Sequence, residues 1–382
     1  LREKQQVRET LEFDVAIVGA GVVGLGVGWQ LAEAGLSVGV FEREHAGAGA
    51  SSAAAGMLAP TAEVTYEEEA LLELGRRSLA MYPDFVAEVE ACSGTDVDYR
   101  TEGTLVVGVD RDDTEALARL HDYHLELGLD VERLSADAAR EREPGLSPGI
   151  HSALSIPGDH QVDPRKLTRA LESCLASAGG ELLEQTPVAS VDIDEDDQRV
   201  EGVVLADGRS VRCETVLLAA GAWTGDIEGL PSDVVPHVRP VRGQMLALEL
   251  GDPPICEHVI RAPDAYLVPK SDGRLIIGAT SEEMGFDPRL TAGGIFELLR
   301  GAWETMPGIY DLHLLDMWTG FRPVALDNEP KLGPTRIDGL WLGTGHGRNG
   351  ILLAATTAMD LGASIRDGAL VEALEMFAPE SS

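Results

Sequence analysis

The hexapeptide GAGVVG at 19–24 constrains this chain more than any other feature. A nearly continuous apolar run, FDVAIV at 13–18, leads into it, as a buried parallel strand leads into a tight turn. Behind it apolar residues recur at helical spacing over 22–34, Gly35 marks the stop, and SVGVF at 37–41 reads as a second strand ending on Glu42. Strand, glycine turn, helix and strand within about 30 residues make a βαβ unit with parallel strands. Gly19 makes the turn, Gly21 lets the backbone approach a pyrophosphate, and Gly24 permits close helix–sheet packing. The helix start offers N–H groups and the positive end of its dipole to that pyrophosphate. Glu42 is placed to accept from a ribose 2′-hydroxyl, and its charge disfavours a 2′-phosphate. The pattern predicts dinucleotide binding.

Further along, the chain departs from a plain nicotinamide dehydrogenase. Residues 46–60 are small and apolar without a period, which suits close packing on a large ligand. One or two helices follow over 67–92, then a strand after Gly103, a helix over 114–128, and a loop or domain crossing over 144–157. Asp163-Pro164 opens another helix, since proline after an aspartate cap is a strong start signal. Residues 187–211 alternate and turn at 196–197 and 207–208 as a meander, and 215–220 is a further buried strand. Segments 239–250, 265–270 and 274–280 read as antiparallel strands of a different sheet, with a helix over 291–304. The end of the chain returns to the pattern of a nucleotide-binding domain, with a strand at 340–342, a glycine turn at 345–350, and a long apolar helix up to 365. A cofactor gripped from both ends of the sequence points to FAD. The expected fold is α/β: a Rossmann-type FAD-binding domain (13–80, 160–235 and 325–370) and a second α+β substrate domain built on an antiparallel sheet (81–159 and 236–324).

Seven segments make the chain recognisable: GAGVVG at 19–24, SSAAAGMLAP at 51–60, LLAAGAWT at 217–224, RPVRGQML at 239–246, YLVPKSDGRLIIGAT at 266–280, WTGFRP at 318–323 and GHGRNGILLA at 345–354. In these it resembles the D-amino-acid-oxidase-like FAD oxidoreductases, and within them the glycine-oxidising branch tied to thiamine biosynthesis. The resemblance implies that Gly19, Gly21, Gly24 and Glu42 hold the AMP and pyrophosphate of FAD. It places Ser51, Ser52 and Met57 along the pyrophosphate and isoalloxazine, and Gly345, His346, Gly347, Asn349, Gly350 and Ile351 beneath the flavin. Arg322 matches a clamp on the substrate carboxylate, Tyr266 a second contact through its hydroxyl, and Arg348 a basic residue at the pocket mouth. A guanidinium fork suits a carboxylate because it gives two parallel charge-assisted hydrogen bonds.

The activity so implied is oxidation of glycine, or another small amino acid or secondary amine, by hydride transfer to flavin N5 without a protein general base. Reoxidation by O2 then yields H2O2, in thiamine thiazole synthesis. A sarcosine or D-amino-acid oxidase, a quinone-linked dehydrogenase and a non-catalytic flavin-binding subunit are the alternatives. Gly347 stands where relatives often carry an aromatic residue, which bears on strict glycine preference. No cysteine follows Cys256, so the FAD is expected to be noncovalent, unlike that of the sarcosine-oxidase branch with its late cysteine.

Composition narrows the partners. Thirty Lys+Arg against 65 Asp+Glu leave a formal charge of -35, which argues against nucleic acid and anionic membranes. Cys92, Cys174, Cys213 and Cys256 are scattered with no CxxC pair, and no metal centre is expected; His121 and His124 read as solvated helix residues. Residues 1–12 are polar and no apolar run is long enough to cross a bilayer, so a cytoplasmic location is expected, with a homo-oligomer as the general prior. Only four lysines occur (Lys4, Lys166, Lys270, Lys331), and arginine supplies the other 26 basic residues. Extreme charge is a lever in salt-adapted proteins, where screening tames self-repulsion, so a salty cytoplasm is expected, with an acidic mesophilic enzyme as the alternative. The unfolding midpoint is therefore expected to rise from low salt to molar salt in a thermal melt, and an unchanged midpoint refutes this.

Overall fold

The computed structural model describes residues 11–66, 68–194, 196 and 198–379. Strand Val15–Val18 lies inside a six-stranded sheet, with Val38–Phe41 on one side and Thr215–Leu218 on the other, all parallel. Leu340–Thr344 continues the parallel order, Lys331–Pro334 closes that edge antiparallel, and Glu181–Leu183 forms the opposite edge. Every residue of Val15–Val18 and Val38–Phe41 is buried, as expected of parallel strands covered on both faces.

Helix Val22–Glu33 covers this sheet in spite of its composition. Three glycines inside a helix each cost about 1 kcal/mol relative to alanine, and burial of ten of its twelve residues offsets that. The glycines are there for contact. A Cβ on Gly28 would fall 3.2 Å from Ile17 and Val40 of the sheet, and one on Gly26 would fall 2.9 Å from the Ala358 Cβ. Helix Pro164–Ser177 packs beside it and starts as expected, with Asp163 accepting from the Arg165 and Lys166 N–H groups, both at 2.9 Å.

The helical region after residue 67 is one helix, Glu69–Ser93, so residue 80 lies inside a continuous element and not at its end. Its Leu74, Tyr82 and Phe85 join the core of the nucleotide-binding layer. The Ser78 hydroxyl donates to the Leu352 carbonyl at 2.6 Å, and the Tyr82 hydroxyl donates to that of Ile351. These bonds divert carbonyls from a regular helix. The long helix expected up to 365 is accordingly broken into a 3₁₀ turn Gly347–Asn349, a short α segment Ala354–Thr356, a π turn Thr357–Leu361 and a last α segment Gly362–Asp367.

The second layer is an eight-stranded sheet in the order Leu314–Ala325, Val238–Glu249, Arg274–Gly278, Tyr266–Pro269, Val259–Arg261, Thr104–Gly108, Ser152–Ile156, Glu132–Ser135. All its pairings are antiparallel except Val259–Arg261 against Thr104–Gly108. Helix Ala292–Thr305 packs on it through Leu298 and Ala302. Ser152–Ile156 corrects the loop expected over 144–157: prolines and glycines flank a five-residue strand without interrupting it. His124 is also corrected, since it is fully buried with neither ring nitrogen hydrogen-bonded, and not solvated. The meander forms a third sheet, Val188–Asp194, Arg199–Leu205 and Ser210–Arg212, joined by Leu11–Glu12. Asp197 of its first turn and Glu67 lie outside the described residues, as do 1–10.

A Cβ on Gly24 would stand 1.9 Å from the Gly19 carbonyl oxygen, a backbone atom that cannot yield without opening the turn. Gly24→Ala is expected to purify without yellow flavin, judged by the visible-to-ultraviolet absorbance ratio, whereas Gly26→Ala, facing a side chain, keeps it. Flavin retained at the wild-type ratio in Gly24→Ala would overturn this.

Candidate active site

A cavity of about 720 Å³ runs from the carboxyl ends of the parallel strands, at Val18, Phe41 and Thr344, to the face of the eight-stranded sheet carrying Met245, Tyr266 and Arg322. Its size falls within the roughly 300–1,000 Å³ usual for cofactor and ligand sites, and its position is where open α/β sheets bind ligands.

At the strand ends, Gly19 has φ +105° and its turn is closed by Glu42, whose carboxylate accepts from the Ala20 N–H at 2.9 Å and the Glu44 N–H at 3.0 Å. The Ser51 hydroxyl accepts from the Val22 N–H at 3.1 Å, and a Cβ on Gly21 would come within 3.0 Å of that oxygen. Gly19, Gly21, Glu42, Ser51 and Met57 line the cavity; Gly24 lies beneath the turn. Ser52 departs from expectation. It does not line the cavity, because its N–H bonds to Gly47 and its carbonyl accepts from Arg165 at 2.9 Å, turning it toward the helix behind. An open backbone cradle, a half-buried acid at its end and a helix N-terminus suit a dinucleotide.

The second glycine turn enters from the opposite end of the chain. Gly345 (φ +77°) and Gly347 (φ +56°) take the left-handed conformation that lets His346, Asn349, Gly350 and Ile351 reach the wall; Gly345 shapes the turn without lining it. His346 is buried with Nε2 3.1 Å from the Thr357 hydroxyl, and burial pushes its pKa down to about 4, so the ring is neutral at physiological pH.

Five arginines line the cavity: Arg43, Arg239, Arg261, Arg322 and Arg348. Arg43 stacks on Trp223 at 3.9 Å with Glu44 beside it, and Arg239 pairs with Glu283 at 3.1 Å. Arg261 pairs with Glu63 at 2.7 Å, and Arg348 with Glu68 at 2.5 Å. Arg322 has no acidic partner among the described residues: its Nη1 donates to the Thr280 carbonyl at 3.1 Å, and its guanidinium meets the Tyr266 hydroxyl. Burial pushes the Tyr266 phenol up to about 12, against the pull of Arg322, so it stays protonated. Both side chains lie across glycines. A Cβ on Gly243 would be 2.7 Å from Arg322 Nη1, and one on Gly278 would be 2.3 Å from the Tyr266 hydroxyl.

Glu63 and Arg261 lie outside the recognised segments, and Gly243 and Gly278 lie within them, but nothing in the sequence marks the two glycines as seats for the Arg322 and Tyr266 side chains. Trp223 sits in a recognised segment, but its role as an arginine platform needed the fold. Arg348 reaches the cavity as expected yet is committed to acids.

Residues 14–363 match the model of the FAD dependent oxidoreductase family, and the chain belongs to that family. Its cofactor is FAD, held noncovalently. It is 36% identical over 354 residues to glycine oxidase of Geobacillus kaustophilus, with 92% of each chain covered. It is 35% identical to the bifunctional protein ThiO/ThiG of Synechocystis, covering 96% of this chain and 54% of that protein. The crystal structure of the Geobacillus kaustophilus glycine oxidase superposes with a TM-score of 0.89, covering 97% of this chain and 98% of that one at 34% identity. Iminodiacetate oxidase from Chelativorans superposes with a TM-score of 0.85 at 29% identity, over 96% and 98% of the two chains. Among the described residues no helix is long and apolar enough to cross a membrane.

The depressed His346 pKa fixes the sign of a pH effect. Its folded value lies below the ordinary 6.5, so the neutral ring's contribution is complete above 6.5 and is lost as pH falls through about 4. The stability gap between wild type and His346→Asn is therefore expected to shrink from pH 6.5 to pH 4 in denaturant titrations. A gap that stays constant over that window contradicts a buried neutral imidazole.

Proposed function

We propose that this FAD-dependent amino-acid oxidase oxidises glycine, or a small amine of the same shape, in thiamine thiazole synthesis. The observation that carries the reading is Arg322. In a half-buried setting a guanidinium without a counter-ion is costly, and this cavity supplies acids to its other arginines but none to this one. A bound carboxylate completes it, with two parallel hydrogen bonds from the guanidinium and one from the protonated Tyr266 hydroxyl. Glycine oxidases among its relatives, and the ThiO/ThiG protein whose one half it matches, support the substrate and the pathway.

FAD held along Gly19, Gly21, Glu42, Ser51 and the 346–351 turn would supply a two-electron acceptor for the hydride of the substrate's α-carbon, with O2 as final oxidant going to H2O2, and water would hydrolyse the resulting imine to a 2-oxo acid and ammonia or an amine. The protein's part is orientation. Arg322 and Tyr266 fix the carboxylate, which sets the α-carbon's approach, and holding a near-attack geometry is worth several orders of magnitude. Burial pushes the His346 pKa down to about 4, which makes the ring a poor proton acceptor, and its Nε2 is engaged with Thr357, so we assign it the part of a wall.

Losing the guanidinium from a half-buried carboxylate contact costs about 3 kcal/mol, or roughly a hundredfold. Arg322→Ala is expected to raise the glycine concentration that half-bleaches the flavin anaerobically by about that factor, with FAD content unchanged. Wild-type bleaching at low glycine would overturn the assignment. Titration of wild type with glycine, sarcosine and D-alanine ranks the substrates, and recovery of the band in air identifies the oxidase.

A further inference from the structure

Glu63 ends the four-residue helix Pro60–Glu63, which is held from behind. The fully buried Asp159 carboxyl accepts from the Thr61 N–H at 3.2 Å and the Ala62 N–H at 3.0 Å. So placed, Glu63 faces two arginines. Its Oε1 accepts from Arg261 Nη1 at 2.7 Å, its Oε2 lies 3.6 Å from Arg348 Nε, and its carbonyl accepts from Arg348 Nη2 at 3.1 Å. All three residues line the cavity. Arg261 is the cross-strand partner of Tyr266, whose hydroxyl meets Arg322. Tyr266 therefore has an arginine on either side, one free of acids and one held by Glu63.

We propose that Glu63 is a specificity-determining residue: by occupying Arg261 and Arg348 it leaves the cavity one carboxylate anchor and excludes substrates that carry a second carboxylate. A second carboxylate can bind there only by displacing Glu63 from two pre-positioned guanidiniums, and otherwise it meets the like charge of Glu63. The excluded class is the dicarboxylic amino acids and N-carboxymethyl amino acids; the favoured class is small monocarboxylic amines. The inference rests on Arg322 as the anchor.

The test uses the oxidised holoenzyme, titrated with acetate and with malonate while the visible flavin band is followed. In wild type, acetate perturbs the band at lower concentration than malonate. Glu63→Gln keeps the shape and removes the charge, and is expected to tighten malonate roughly tenfold while acetate shifts less than about threefold. Adding Arg261→Gln abolishes the gain. Glu63→Asp, which keeps a carboxylate and the ion pairs that support folding, gives a smaller gain. In turnover, the ratio of kcat/KM for N-(carboxymethyl)glycine to that for glycine rises in Glu63→Gln through KM. Unchanged malonate affinity in both Glu63 variants, or a gain that survives Arg261→Gln, overturns the proposal while leaving Arg322 standing. Acetate binding that is insensitive to Arg322→Ala overturns the anchor, and this proposal with it.

Discussion

The approach of Gly24 to the Gly19 carbonyl oxygen is the contact on which the rest of the site depends. It seats the first helix against the end of its strand closely enough for the helix start to open into the cavity. A methyl group there has no space, since the oxygen belongs to the backbone of the turn itself. Glu42 then serves twice. Its carboxylate ties down the Ala20 N–H inside the turn, so the acid proposed for a ribose also stabilises the loop proposed to receive the pyrophosphate. Ser51 likewise caps the Val22 N–H from the neighbouring segment. The atoms proposed for cofactor recognition are the ones that hold the local fold, so damage to the fold would reach the cofactor site as well.

The two layers must also keep their spacing, because the anchor proposed on one sheet would have to present substrate to a cofactor proposed to lie on the other. A charged joint does this. Asp163, which caps helix Pro164–Ser177, also pairs with Arg274 of the eight-stranded sheet. Lys270 from the same hairpin, almost fully buried, donates to the Val162 carbonyl at 2.8 Å, and burial pushes its pKa down to about 8. Asp98 accepts from the Ser271 N–H at 3.0 Å. Breaking one such buried partner away typically costs about 3–5 kcal/mol. This explains why one hairpin carries both Tyr266 at the cavity and Lys270 to Arg274 at the joint: its two ends do different work on one rigid element.

What could be read in advance divides along sequence distance. The βαβ unit was legible because its period, its glycines and Glu42 lie within one short stretch whose physics is local. The caps at Asp163 and the meander were legible for the same reason. Strand Ser152–Ile156 was not, because only its partners Thr104–Gly108 and Glu132–Ser135 distinguish a buried strand from a loop flanked by prolines. The irregular segment after Gly345 was hidden too, since its broken helix is set by hydroxyls from Ser78 and Tyr82, far away in the chain. Arg322 stood out by its apolar neighbours and by resemblance. Its distinguishing property, the missing acid, appears only when all five cavity arginines are compared in space.

That comparison bears on the chain's acidity. A formal charge of -35 surrounds a cavity whose five arginines share the wall with six acids (Glu42, Glu44, Glu63, Asp226, Asp264 and Glu283), so the attraction for an anion is local to Arg322 and not a property of the whole cavity. At low ionic strength the outer field reaches well beyond the roughly 10 Å screening length found near 0.1 M salt, and it opposes the approach of a pyrophosphate or a carboxylate. Near 1 M the screening length falls to about 3 Å. Distant surface carboxylates then act far less on the interior, whereas the contact proposed for Arg322 with a carboxylate, at hydrogen-bond distance and out of bulk solvent, would persist. Salt thus removes the repulsive part of the electrostatics and keeps the attractive part. A surface this acidic remains compatible with an anion-binding site because Arg322, the cavity arginine with no acidic partner among the described residues, sits away from the surface carboxylates.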